Sequence, residues 1–188
     1  MPLFPPPMLL RGDVVAAADG TLQAWSFDPL GSYVTGQVPA TGTVALSRIA
    51  VPRTMLVSNI TIAVAQAGGA AGTAANCFVG IYDITGATLL GVSATQAANW
   101  SSAGVKTIPL VTPVIVSGGP AAAVLGALLV GTQYTTTVCN FAASSASQAA
   151  IANAGFGFRC GLGPAAQSSL PASLTPATST RAYFMGLS

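Results

Sequence analysis

Side chains suited to chemistry are scarce in this chain. It has no His and no Glu, and its four acids are all Asp: Asp13, Asp19, Asp28 and Asp83. General acid–base catalysis draws on His or on carboxylates held in contrasting environments. Without His, Ser-His-Asp and Cys-His systems are excluded. Glycoside hydrolysis needs two carboxylates facing each other across the scissile bond. Asp13, Asp19 and Asp28 lie ahead of the region that reads as the folded body. Asp83 adjoins Thr85-Gly86, where a short carboxylate bonds nearby backbone amides of a turn. No phosphate loop, nucleophile elbow or calcium loop is present. The expectation is a chain that is not an enzyme and holds no cofactor or metal.

Cys77, Cys139 and Cys160 are widely spaced, form no C-x-x-C pair and have no His to complete a zinc set. They read as buried thiols of a protein made in a reducing cytoplasm.

Recognition chemistry is the next possibility. Trp100 lies in the polar stretch 94–104 with Asn99, Ser101 and Ser102 beside it. A ring so placed can stack on a sugar, which makes Asn99 and Trp100 the glycan-contact candidates. The competing reading, and the favoured one, is a Trp that caps the core. Arg11-Gly12-Asp13 spells an integrin tripeptide, but three-residue matches arise by chance. Asn59-Ile60-Thr61 and Asn99-Trp100-Ser101 are glycosylation sequons that carry no meaning without a secretory leader, and the Pro-interrupted N-terminus does not read as one.

The first 41 residues differ in character from the rest. Residues 2–7 hold four prolines, which fix φ, remove backbone donors and favour an extended chain. Leu3, Phe4, Pro5, Pro6, Pro7, Met8, Leu9 and Leu10 line this arm with apolar groups. Such a segment is unsuited to water, so these eight are the assembly-docking candidates. Residues 19–39, with Trp25, Phe27 and Tyr33 among Gly and Pro, read as an irregular linker packed on the body or on a neighbour. The organisation expected is an anchoring arm and linker over 1–41 and a folded domain over 42–188.

From residue 42 the pattern is short β-rich runs with turn punctuation. Strands are expected at 43–51, 56–65, 78–84, 88–92, 105–116 and 121–130. In the second, Leu56, Ser58, Ile60, Ile62 and Val64 share one parity. Thr85-Gly86 closes a hairpin between the third and fourth. Pro109 and Pro113 place the long 105–116 strand at an edge or give it a bulge. A further strand over 132–141 is plausible, 142–154 reads as a loop or short helix, and 154–159 and 182–185 are candidates to close the sheets. About eight or nine strands without an amphipathic helix point to an all-β fold, an antiparallel β-sandwich of jelly-roll type.

Composition narrows the partners. Only 5% of residues are charged and 52% are hydrophobic, against about 25% charged in an ordinary soluble domain. Much of the surface is therefore expected to be covered by other subunits, although a bias towards small residues contributes to the same composition. A closed homo-oligomer, a trimer, is the expected solution. The net charge of +2 is small and scattered, which excludes nucleic acid as a partner. No apolar run reaches the roughly 20 residues of a spanning helix, so no membrane partner is expected.

Several segments resemble the β-sandwich domains found in minor tail proteins and fibre tips of phages that infect actinobacteria. They are residues 42–52, GTVALSRIAVP; 57–64, VSNITIAV; 78–91, FVGIYDITGATLLG; and 100–110, WSSAGVKTIPL. The order is strand, Tyr-Asp-x-x-Gly hairpin, Trp-x-x-x-Gly loop, strand. The resemblance spans residues 40–135 and leaves out the arm. It implies a structural virion protein of minor-tail, fibre or capsid-decoration type, often trimeric, assembled in the host cytoplasm beside other virion proteins. It also implies that some such domains bind a host cell-wall glycan, so a receptor-binding module is the alternative reading. A non-viral self-assembling surface protein is the second.

Overall fold

The computed structural model describes residues 22–27, 34–37, 39–68, 76–131, 139–144, 158–179 and 181–188. The chain is all-β. Among the described residues its strands are β1 (Ala24–Trp25), β2 (Val34–Gln37), β3 (Ala45–Ala50), β4 (Met55–Gln66), β5 (Phe78–Asp83), β6 (Leu89–Val92), β7 (Gly104–Val116), β8 (Ala123–Leu129), β9 (Asn140–Ala143), β10 (Cys160–Leu162), β11 (Ala177–Thr178) and β12 (Met185–Leu187), and a helical turn, α1 (Ala97–Trp100), precedes β7.

These strands form two six-stranded sheets, antiparallel throughout. In the first, β4 is the spine. Ile60 to Ile62 pair with β7 on one edge and with β12 on the other, and β9 joins further along at Val64. β1 flanks β12, and β2 flanks β9. The second sheet runs β11-β10-β3-β8-β5-β6.

One hydrophobic core takes side chains from both sheets. Ile60, Ile62, Val64, Phe141 and Met185 of the first cluster with Ile49, Val79, Ile81, Val124 and Leu128 of the second. Contact between the sheets is close at Gly126, where a Cβ would come within 2.6 Å of the Met185 sulfur. A buried polar tie crosses the same space: the Tyr183 amide donates to Ser47 Oγ at 2.9 Å. The outward face of the second sheet carries a smaller cluster of Val44, Leu46, Tyr82, Leu125, Ala127 and Leu129 under Leu170 and Leu174. Tyr82 fastens this cover by donating its hydroxyl to the Pro171 carbonyl at 2.6 Å.

A bulge in β4 decides which side chains face out. The amides of Ser58 and Asn59 both donate to the Ser188 carbonyl, each at 2.8 Å. Two consecutive donors on one acceptor mark an inserted residue, which reverses the side-chain alternation. Met55 and Val57 point inward before the bulge, and Ile60, Ile62 and Val64 after it. The single parity expected from the sequence is corrected here: Leu56 does not share a face with Ile60. β7 bows at the same place, since Val57 pairs with Val114 and Asn59 with Pro109. Pro109 and Pro113 therefore mark both an edge strand and an irregular one.

The expected strands at 43–51, 56–65, 78–84, 88–92, 105–116 and 121–130 correspond to β3 to β8 within one or two residues at each end. Of the segments expected to close the sheets, 154–157 lies outside the described residues and 182–185 meets β12 at Met185, while a further short strand runs over Cys160–Leu162. The sequence reading of 19–39 as irregular chain differs from the structure at Ala24–Trp25 and Val34–Gln37, which are short strands of the first sheet. The proposed strand over 132–141 is described only at its end, as β9, and residues 145–154 of the stretch read as loop or helix lie outside the described residues.

Candidate functional site

Asp83 ends β5 at the hairpin. Its Oδ1 accepts from the Thr85 amide at 2.9 Å, the Thr85 hydroxyl at 2.7 Å and the Ala87 amide at 3.0 Å. Gly86 supplies the positive φ of 79° that the turn requires. Desolvation pushes the carboxyl up, but donation from Thr85, Ala87 and Thr88 outweighs it and holds the group below the ordinary carboxylate range. Both the geometry and this direction are those of a turn-forming carboxylate. Among the described residues, no group of three His, Cys, Asp or Glu side chains comes together as a metal site.

The thiols are placed in the interior. Cys77, Cys139 and Cys160 are buried and none is in a disulfide. Cys77 Sγ accepts from the Gly131 amide at 3.4 Å, and Cys160 donates to the Ser179 carbonyl at 3.3 Å. Desolvation pushes the Cys139 thiol up to about 12, which leaves it a poor nucleophile at neutral pH.

The polar stretch at 94–104 is organised by α1. The Asn99 and Trp100 amides both donate to the Gln96 carbonyl, and the Asn99 side-chain amide donates to Gln96 Oε1 at 2.6 Å. The Gly68 amide donates to the Trp100 carbonyl. These bonds turn the indole inward, where it is 0% exposed and meets Phe141 edge-on. The glycan-contact candidates are corrected accordingly. Stacking on a sugar requires an open ring face, and Trp100 presents none; Asn99, half-buried, spends its amide on Gln96. The ring belongs to the core. The docking candidates Leu3, Phe4, Pro5, Pro6, Pro7, Met8, Leu9 and Leu10 lie outside the described residues.

A surface feature not singled out from the sequence lies on β7. Residues 108, 110 and 116 are buried, while 105, 107, 109, 111, 113 and 115 are exposed. The exposed set includes Val105 at 71%, Val111 at 67% and Ile115 at 73%, and directly across from Ile115 on β4 stands Leu56 at 55%. The bulge at Ser58 is what brings Leu56 to this side. The available signal was a strand apolar on both parities, which a surface strand facing water on one side does not need. No charged side chain interrupts the stripe: Lys106 lies on the opposite parity and donates to Ser102 Oγ at 2.7 Å.

Among the described residues no helix is long and apolar enough to cross a membrane. Comparison with protein-family models, with curated proteins and with solved structures finds no match to this chain.

Proposed function

We propose that this chain is a non-enzymatic structural protein of a bacteriophage virion, of minor-tail, fibre or capsid-decoration type, assembled in the host cytoplasm. Its arm, residues Leu3 to Leu10, anchors it to other virion proteins, and its β body associates with further copies, as a trimer. The observation that carries this reading is the uncharged apolar stripe of β7 and Leu56 on a chain with only 5% charged residues. Exposed apolar surface of this kind marks an interaction face. The phage assignment draws its support from the resemblance over residues 40–135. The Tyr-Asp-x-x-Gly hairpin of that resemblance is the β5–β6 turn, and its Trp-x-x-x-Gly loop is the α1–β7 entry.

The rival readings are a module that binds a host cell-wall glycan through the loops near 66–75 and 94–104, and a non-viral self-assembling surface protein. Burial of Trp100 removes the stacking ring from the first. The test is to incubate purified protein with host cell walls and measure both sedimentation with the walls and released reducing sugar. The structural reading expects neither. Saturable binding without release favours the glycan module, and release that disappears in Asp83→Asn overturns the non-enzymatic reading.

A further inference from the structure

We infer that in the free chain the apolar arm, Leu3 to Leu10, docks on the outward face of β7 and Leu56 of its own body. The inference rests on the reading of the chain as an assembly subunit: the arm and the stripe cover each other until other subunits take them up.

The position of Leu22 selects the chain's own N-terminal segment as the occupant. Met185 and Leu187 of β12 belong to the core, so Gly186 between them faces outward. Leu22 lies over it, since a Cβ at Gly186 would come within 2.6 Å of Leu22 Cδ2. The chain bends at Gln23, which carries Leu22 from the β1 edge onto the outward side of the first sheet. Phe184, set between the core residues Tyr183 and Met185, meets Phe27 edge-on at 5.8 Å. Residues 22–27 thus cover the β12 part of the outward face, and the β7 part, two strands away, is bare among the described residues.

Reach and shape agree with this. Gly186, Thr61 and Thr107 stand in one row across β12, β4 and β7, so β7 runs about 10 Å to the side of Gly186 at roughly 4.8 Å per strand. Ile115 lies opposite Leu56, five positions along β4 from Thr61, which is about 17 Å at roughly 3.3 Å per residue. The twelve residues from Leu10 to Leu22 span up to about 40 Å, enough for both distances together. From Val105, opposite Ala63, to Ile115, opposite Leu56, the stripe is about 23 Å long. Eight residues in the extended form that prolines favour measure about 25 Å. Neither the arm segment nor the stripe carries a charge. A short tether holds the arm near its own stripe at an effective concentration in the millimolar range, which favours it over any second copy at micromolar concentration.

The test reads the exposure of the stripe in the full chain and in a version lacking residues 2–12. In Ile115→Cys, labelling by a soluble thiol reagent is expected to be at least tenfold slower in the full chain than in the shortened one, and the protection should persist on dilution. Ala50→Cys, exposed on the other sheet, should label equally fast in both, and the buried native thiols keep the background low. A second measurement does not need the truncation to fold. Val111→Asp with Ile115→Asp in the full chain should release the arm, so that trypsin cuts after Arg11 at least tenfold faster than in wild type. Equal labelling of Ile115→Cys with and without the arm, protection that fades on dilution, or unchanged cleavage at Arg11 overturns the inference. Protection as expected in a chain absent from particles removes the virion reading instead and leaves this one standing.

Discussion

Trp100 stands edge-on to Phe141, ring centroids 5.1 Å apart and planes at 86°. The contact joins the turn before β7 to β9, and both rings are fully buried. Trp100→Ala is expected to lower stability by about 3–5 kcal/mol through lost burial and the cavity left behind. The indole Nε1 has no hydrogen-bond partner among the described residues, so Trp100→Phe sacrifices no bond and should cost much less. Urea denaturation of the two variants checks the order. A Trp100→Ala protein as stable as wild type would place the ring outside the core.

Ser47 makes a different kind of prediction. Its Oγ is the acceptor for the Tyr183 amide inside the body. Ser47→Ala leaves that amide buried and without this acceptor, at a cost of about 1–3 kcal/mol. The same denaturation experiment reads it, and Ser58→Ala, which removes only a half-buried hydroxyl, serves as the comparison expected to change little.

Asp83 predicts a pH dependence with a definite sign. Its folded carboxyl is held below the ordinary range, so the native state favours the ionised form. The stability it contributes is present above the unfolded pKa of about 3.9 and fades as pH falls through the folded value. Asp83→Asn should therefore be less stable than wild type at neutral pH, by a small margin because the turn is exposed. The two proteins should converge in strong acid. A difference that widens on acidification would contradict the turn assignment.

Much of the β body could be read from residue pattern because its strands are long and bounded by Gly, Pro and Thr turns. The Thr85-Gly86 hairpin and the Pro-bearing β7 are examples. Two features escaped for physical reasons. At β4, Leu56 and Val57 are both apolar, so alternation alone cannot reveal a bulge that depends on two amides reaching the Ser188 carbonyl. β1 and β2 are too short to show a period, and their partners, Leu187 and Phe141, are remote in the chain. The candidate site divided in the same way. Absence of His and Glu was visible at once, whereas the burial of Trp100 required knowing that α1 turns the ring inward.

If this chain is built into a particle and held there by its arm, particles contain it and lose it together with the arm. Quantitative mass spectrometry of purified particles, made by the genome that encodes the chain, tests it most directly when wild type is compared with a version lacking residues 2–12. The wild-type chain is expected in fixed stoichiometry with the other particle proteins. The truncated chain is expected to keep the wild-type β circular dichroism yet to be depleted at least tenfold from particles. A wild-type chain absent from particles, or a truncated one incorporated at the normal level, would contradict it.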